Sequence, residues 1–339
     1  MKKLPLLSPE IIQAEPPDLQ PNRSLHLVRA VESAQIAESI TQELQRNERS
    51  LALTFARSIA LAWLPRTKTT EHMVCRELQL GTGFKIRVTY TAAGGSKMPF
   101  GEDRFVLAGI QDLAVRQNSA RVNFENVGDL LKEFGLSRSG TQYRDLRQRL
   151  NRLKGLNVDI ELIDGADHLH DRVVGVGMRV IEEWAMPTRR RLAAEGKGQL
   201  TLSESPYYVQ ISQQLMNYLR SPENQLLVRM DLLKKFINRP LGWDYLVFLA
   251  HRCGAARSRS MVPHSVLMEM FKSGRQSDSR TIETLRGFHE EIMEATGHRL
   301  DAEIVELAPL HNPSGGRPRK QWGLKVGPSQ ALIASGKKR

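Results

Sequence analysis

Six side chains share one chemistry on one face of a single predicted helix. Between Thr141 and Lys154, the residues Thr141, Arg144, Arg147, Gln148, Asn151 and Arg152 gather opposite Tyr143, Leu146, Leu150 and Leu153, when residues are stepped by about 100°. Arg, Gln and Asn match guanine and adenine edges in the major groove, and Thr and Arg also hold phosphates. The only acid in this helix is Asp145, on a flank. A merely solvated face interleaves both signs, so this one reads as a face for a polyanion. A second predicted helix, Asp278 to Ala295, turns Ile282, Leu285, Phe288, His289 and Ile292 inward. Gln276, Ser279, Arg280 and Glu283 stand at its entry, and Glu290, Glu291 and Glu294 crowd its far end. Acids at that end oppose the helix dipole, and the polarity suits a helix that enters a groove with its first turns. Further on, Gly315-Gly316 is followed by Arg317, Arg319 and Lys320. This is the tip of a predicted hairpin whose cations suit phosphates or a narrow minor groove.

A different chemistry is also encoded. His168-Leu169-His170 has the spacing of a divalent-metal pair, Asp164, Asp167 and Asp171 add carboxylates, and Tyr207 or Tyr208 offers a phenolic nucleophile. Together these would make a metal-dependent rolling-circle-type nicking endonuclease, in which the metal polarises a phosphate while tyrosine attacks it. That motif needs both histidines on one face of a strand. Here they follow Asp164-Gly165-Ala166-Asp167, a turn sequence. Tyr207 and Tyr208 follow Pro206 directly and suit a core anchor. Gly81-Thr82-Gly83 and Gly175-Val176-Gly177 lack the rest of a phosphate-cradling loop. The expectation is a binding protein with no catalytic residue, no metal and no cofactor.

The elements that position these residues follow from the chain's composition and punctuation. The 339 residues are 40% hydrophobic and 25% charged, which excludes wholesale disorder and allows two ordinary domains. With 49 Lys+Arg against 37 Asp+Glu, the net charge of +12 favours nucleic acid over a membrane surface. Cys75 and Cys253 read as reduced thiols of a reducing cytoplasm. Pro9 and Glu10 end the first apolar run too early for a secretory signal. Residues 1–23 read as a flexible arm and 24–70 as an N-terminal helical region that includes a buried helix from Leu51 to Leu64. In 71–218 the strands Glu77 to Leu80 and Lys85 to Thr91 precede a helix (Gly101 to Gln117), a strand (Ala120 to Phe124) and a helix capped by Asn126. The helix from Thr141 comes next, then strands Val158 to Ile163 and Val173 to Glu182. Helix, strand, helix, turn, helix, hairpin is the order of a winged helix-turn-helix. It recurs in 219–329, with helices Leu241 to Arg252, Pro263 to Lys272 and Asp278 to Ala295, then strands Asp301 to Leu307 and Lys320 to Val326. Helical stretches are predicted at Tyr207 to Leu219 and Gln225 to Ile237, a strand at Gln199 to Ser203, a basic loop at Arg189 to Arg191, and a basic tail at 330–339. The fold class is α+β, helix-rich: two tandem winged helix-turn-helix domains with an N-terminal helical extension. A homodimer in equilibrium with monomer is expected through the N-terminal half, where Glu77 to Thr91 offers an edge and Leu51 to Leu64 apolar surface.

At three places the sequence resembles the plasmid replication initiators of the RepA type, a winged-helix origin-binding family. One is Met98-Pro99-Phe100-Gly101-Glu102-Asp103-Arg104-Phe105, with Leu113-Ala114-Val115-Arg116-Gln117-Asn118-Ser119-Ala120-Arg121-Val122-Asn123-Phe124 after it. Another is Tyr143-Arg144-Asp145-Leu146-Arg147-Gln148-Arg149-Leu150-Asn151-Arg152-Leu153. The last is Leu200-Thr201-Leu202-Ser203-Glu204-Ser205-Pro206-Tyr207-Tyr208, with Pro240-Leu241-Gly242-Trp243-Asp244-Tyr245-Leu246-Val247-Phe248-Leu249-Ala250-His251-Arg252. The resemblance implies a non-enzymatic protein that binds repeated origin sites on double-stranded DNA and helps open an AT-rich region. It further implies recruitment of the host initiator and replicative helicase, repression of the protein's own promoter, and control of plasmid copy number. A simple transcriptional repressor would use the same residues.

Overall fold

The computed structural model describes residues 52–62, 64–79, 84–134, 136–164, 172–187, 206–272, 276–310 and 319–332. The expected arm, most of the N-terminal helical region, the basic loop at Arg189 to Arg191, the strand from Gln199 and the wing tip before Arg319 lie outside these residues. In chain order the elements are β1 (Ala52–Ala56), α1 (Arg57–Ala62), β2 (Met73–Gln79), β3 (Phe84–Ala92), α2 (Asp103–Gln117), β4 (Arg121–Asn123), α3 (Val127–Glu133) and α4 (Gly140–Lys154). Next come β5 (Leu156–Asp164), β6 (Arg172–Arg179), β7 (Ile181–Ala185), β8 (Tyr208–Ile211), α5 (Gln213–Arg220), β9 (Gln225–Arg229) and α6 (Met230–Lys235). The last are α7 (Pro240–Ala255), β10 (Ser260–Val262), α8 (His264–Phe271), α9 (Asp278–Ala295), β11 (Ala302–Leu310) and β12 (Arg319–Val326). This is a mixed α and β architecture. Among the described residues no helix is long and apolar enough to cross a membrane.

Helices with a clear apolar stripe and a polar cap form where the sequence places them. Asn126 accepts the Asp129 N–H at 3.1 Å, and Ser139 and Ser277 do the same for Gln142 and Arg280. The helix-strand-helix-helix-hairpin order stands in both α2–β6 and α7–β12. The sheets differ. In the second unit β10 pairs with β12 and gives the order β10-β12-β11. In the first, β4 joins β8 and β7, and the β5–β6 hairpin extends the β2–β3 hairpin into the antiparallel order β2-β3-β5-β6.

Several expected elements are different. The apolar run from Leu51 is a strand and then a short helix, because Ala52–Ala56 pairs antiparallel with Gln225–Arg229. Its outward N–H groups at Thr54 and Ala56 are taken by Asp112 Oδ1 at 2.9 Å and Gln111 Oε1 at 2.8 Å, both from α2. Gln225 to Ile237 divides the same way, and its consecutive Leu226, Leu227 and Val228 are all buried in β9. Tyr207 to Leu219 opens as β8 and becomes helical only after Ser212, whose Oγ accepts the Leu215 N–H. Val173 to Glu182 breaks at Val180, whose N–H donates to the Leu156 carbonyl, and its two halves join different sheets. β10 was not expected. The tail begins inside the fold: Leu332 is buried and accepts the Arg229 N–H. Ile59, Leu61 and Ala62 of α1 are buried, so this helix offers no apolar face for dimerisation, whereas β2 is an edge strand.

One continuous core runs through both units. Phe105 of α2 meets Phe134, just past α3, and Trp243 of α7 edge-on, at centroid distances of 6.0 and 5.7 Å. Gly109 permits the α2–α3 approach, since a Cβ there would stand 2.2 Å from the Phe134 ring. Beside this contact lies a buried ionic joint. Asp244 of α7 is fully buried and receives Arg104 of α2 and Arg66, the latter at 2.8 Å. Arg104 also donates to the carbonyls of Leu64, Pro65 and Pro240, and Arg66 to those of Met270 and Phe271. One chain segment, 64–66, and three helices, α2, α7 and α8, are thus fixed by one carboxylate and two guanidinium groups.

Burial pushes the Asp112 carboxyl up to about 6, against the pull of Arg116 and the Thr54 N–H. A carboxyl raised above its unfolded value destabilises the fold once ionised. This group's contribution should therefore fall by about 2–3 kcal/mol as pH rises from about 4 to above 6. Asp112→Asn keeps an acceptor for Thr54 and removes the titration. Its stability relative to the parent, from urea unfolding, should improve by that amount between pH 4 and pH 7; an equal difference at both pH values would refute the assignment.

Candidate nucleic-acid interface

The two helices singled out by sequence are both third in their unit and both present a polar face. In α4, Leu146, Leu150 and Leu153 are buried, while Thr141, Arg144, Gln148 and Asn151 are exposed along one line of the helix. The structure separates the other two cations from this line. Arg147 is half-buried and donates to the Met186 carbonyl at 3.0 Å. Arg152 is turned away altogether and grips both oxygens of Asp103 at 2.7 and 2.6 Å. Its guanidinium also lies 5.1 Å from the Phe100 ring centroid. The neighbouring Arg149 pairs with Glu102. These two arginines pin α4 to the start of α2, and among the described residues Arg152, unlike Arg144, already has a carboxylate partner. Arg144 is the exposed cation at the centre of what remains.

In α9, Thr281, Ile282, Leu285 and Ile292 are buried, and Phe288 and His289 are half-buried. Ser279, Arg280 and Glu283 are exposed at the first turns, with Gln276 half-buried just before them. The far end is less free than expected, because Glu291 receives both arms of Arg239 at 2.6 Å and its carboxyl is held below the usual range. His264, first residue of α8, ties the unit together. Its Nδ1 accepts the Trp322 N–H at 3.3 Å, and its Nε2 faces Asp278 Oδ2 at 3.2 Å. Lys272 donates to the other oxygen of Asp278 at 2.7 Å. α8, α9 and β12 are therefore held in one relation.

Of the expected wing cations, Arg317 lies outside the described residues and Arg319 opens β12. Lys320 is exposed and stands 3.2 Å from Glu306 across the hairpin. Sequence reading passed over Arg286. It is exposed on α9, and its guanidinium lies over the half-buried Trp322 ring, 3.9 Å from the centroid. A signal existed, since seven residues separate it from Ser279 and two helical turns bring both to one line.

The residues of the nicking reading are not brought together among the described residues. His168 and His170 lie outside them. Tyr207 is buried, its ring packed at 6.2 Å from that of Phe124. Tyr208 donates its hydroxyl to Glu183 at 2.6 Å and lies under the Arg121 guanidinium. The Glu183 hydrogen bond raises the Tyr208 pKa and favours the phenol over the phenolate.

No family model matches the chain, and no curated protein matches it. Among solved structures it is similar to one of domains 2 and 3 of RctB, with 11% identity and a TM-score of 0.48, covering 79% of this chain and 98% of that one. A second structure of RctB domains 2–3 gives 11% identity and a TM-score of 0.39, covering 80% and 97%. At these values neither likeness fixes the fold or the activity of this chain.

Proposed function

We propose that the chain is a sequence-specific double-stranded DNA-binding protein made of two tandem winged helix-turn-helix units, acting by binding and without catalysis. In this reading it is a plasmid replication initiator of the RepA type. It recognises repeated origin sites, recruits the host initiator and replicative helicase, and represses its own promoter. It works in the bacterial cytoplasm as a homodimer in equilibrium with monomer, and the open edge of β2 is the contact left for pairing. One observation supports the reading above all: α4 and α9, each third in the same element order, bury a leucine- and isoleucine-bearing stripe and expose Arg144 and Arg280 on the other side. Two such units on one chain raise each other's effective concentration at a double site.

Selection of bound fragments from random duplex DNA tests this. A single repeated consensus of about two helical turns is expected, because each docked unit covers about one. Recovery of unrelated sequences, or of none, would overturn the reading.

A further inference from the structure

Arg286 differs from two of the other arginines that lie over aromatic rings. Arg152 over Phe100 holds Asp103, and Arg239 over Phe236 holds Glu291. Arg286 has Glu283 and Glu290 within helical reach, yet among the described residues it pairs with no carboxylate. The indole of Trp322 sets its position instead. The strand that carries the ring is itself fixed, since Trp322 faces Glu306 in the β11–β12 ladder and gives its backbone N–H to His264. The result is an exposed guanidinium stacked at the seam between α9 and the hairpin, covered on the ring side, with in-plane N–H groups left for an acceptor. Such a fork matches the two oxygens of a phosphodiester. It is in line with Ser279 and flanks the face that exposes Arg280.

We infer that Arg286, held by Trp322, is a clamp for a backbone phosphate of duplex DNA where the recognition helix meets the wing. This rests on the DNA-binding reading above and adds to it a residue and a ligand atom. The role is positional, since a phosphate contact sets register and carries no sequence information.

The test uses the full chain with the duplex recovered by selection and a scrambled duplex of equal length. Arg286→Ala should weaken binding to both by a similar factor, about tenfold, and lower the counterion slope by about one. Arg286→Lys should keep the slope, because the charge remains, and lose part of the affinity, because the fork does not. Wild-type Trp322 emission, taken as the difference from Trp322→Phe, should change when DNA is added, and in Arg286→Ala it should not. Wild-type affinity and slope in Arg286→Ala would overturn the clamp while leaving the DNA reading intact. Loss confined to the recovered duplex would overturn the phosphate assignment by making Arg286 a base reader. Binding of neither duplex by the wild type would bring down the DNA reading, and the clamp with it.

Discussion

Asp244→Ala is expected to remove about 3–5 kcal/mol of folding stability, the usual effect of deleting one partner from a buried ion pair. Asp244 is fully buried, and it is the carboxylate that Arg104 and Arg66 share. Without it, Arg104 keeps its carbonyl partners but becomes a buried, uncompensated charge, and its Nε already lacks a partner. Such a loss is a large share of a typical domain's stability of about 5–15 kcal/mol. Replacing all three charges, as in Arg66→Met and Arg104→Met with Asp244→Leu, should recover much of it, because a packed apolar cluster is often as stable as the ionic one. Urea unfolding of the two variants and the parent at neutral pH decides the matter. A loss under about 1 kcal/mol for Asp244→Ala would mean that water or relaxation satisfies the joint.

The second large effect concerns affinity. If Arg144 and Arg280 each read a base, Arg144→Ala and Arg280→Ala should each lower specific binding by about 1–3 kcal/mol. The residues sit in different units on separate helices and share no partner, so the losses should add to about 2–6 kcal/mol in the double variant. Both side chains are exposed, and their removal leaves the buried stripes of α4 and α9 untouched. The measurement is a titration of the selected duplex at fixed salt beside a scrambled one. A comparable drop on the scrambled duplex would reduce both residues to phosphate contacts, and no drop on either would remove α4 and α9 from the interface.

Local signals made some of this molecule legible in its sequence. α4 and α9 are clear because a serine cap, an apolar stripe and a polar face all agree over 15 and 18 residues. The β5–β6 and β11–β12 hairpins are clear because strand-like runs flank turn sequences that hold Gly165 in one and Gly315-Gly316 in the other. β1 and β9 were not legible. Their short apolar runs fit a helix as well as a strand, and the choice is made by pairing across more than 160 residues, as Arg57 Nε to Gln225 O also illustrates. The ion pairs of Arg149 and Arg152 were not legible for a related reason. A helical wheel orders side chains around one axis, whereas Glu102 and Asp103 lie about 50 residues away on another helix. Arg286 was overlooked because attention stopped at the first turns of α9, and the indole that holds it comes from the next strand but one.

The pairing of β1 with β9 bears on how the molecule could be shortened. The first described strand lies beside the strand that leads into the second unit, and Phe105 and Trp243 share one interior. Neither half owns a sealed nucleus of side chains. A truncation between them would not liberate a small autonomous reader; it would leave a ribbon without its mate and a row of leucines facing solvent.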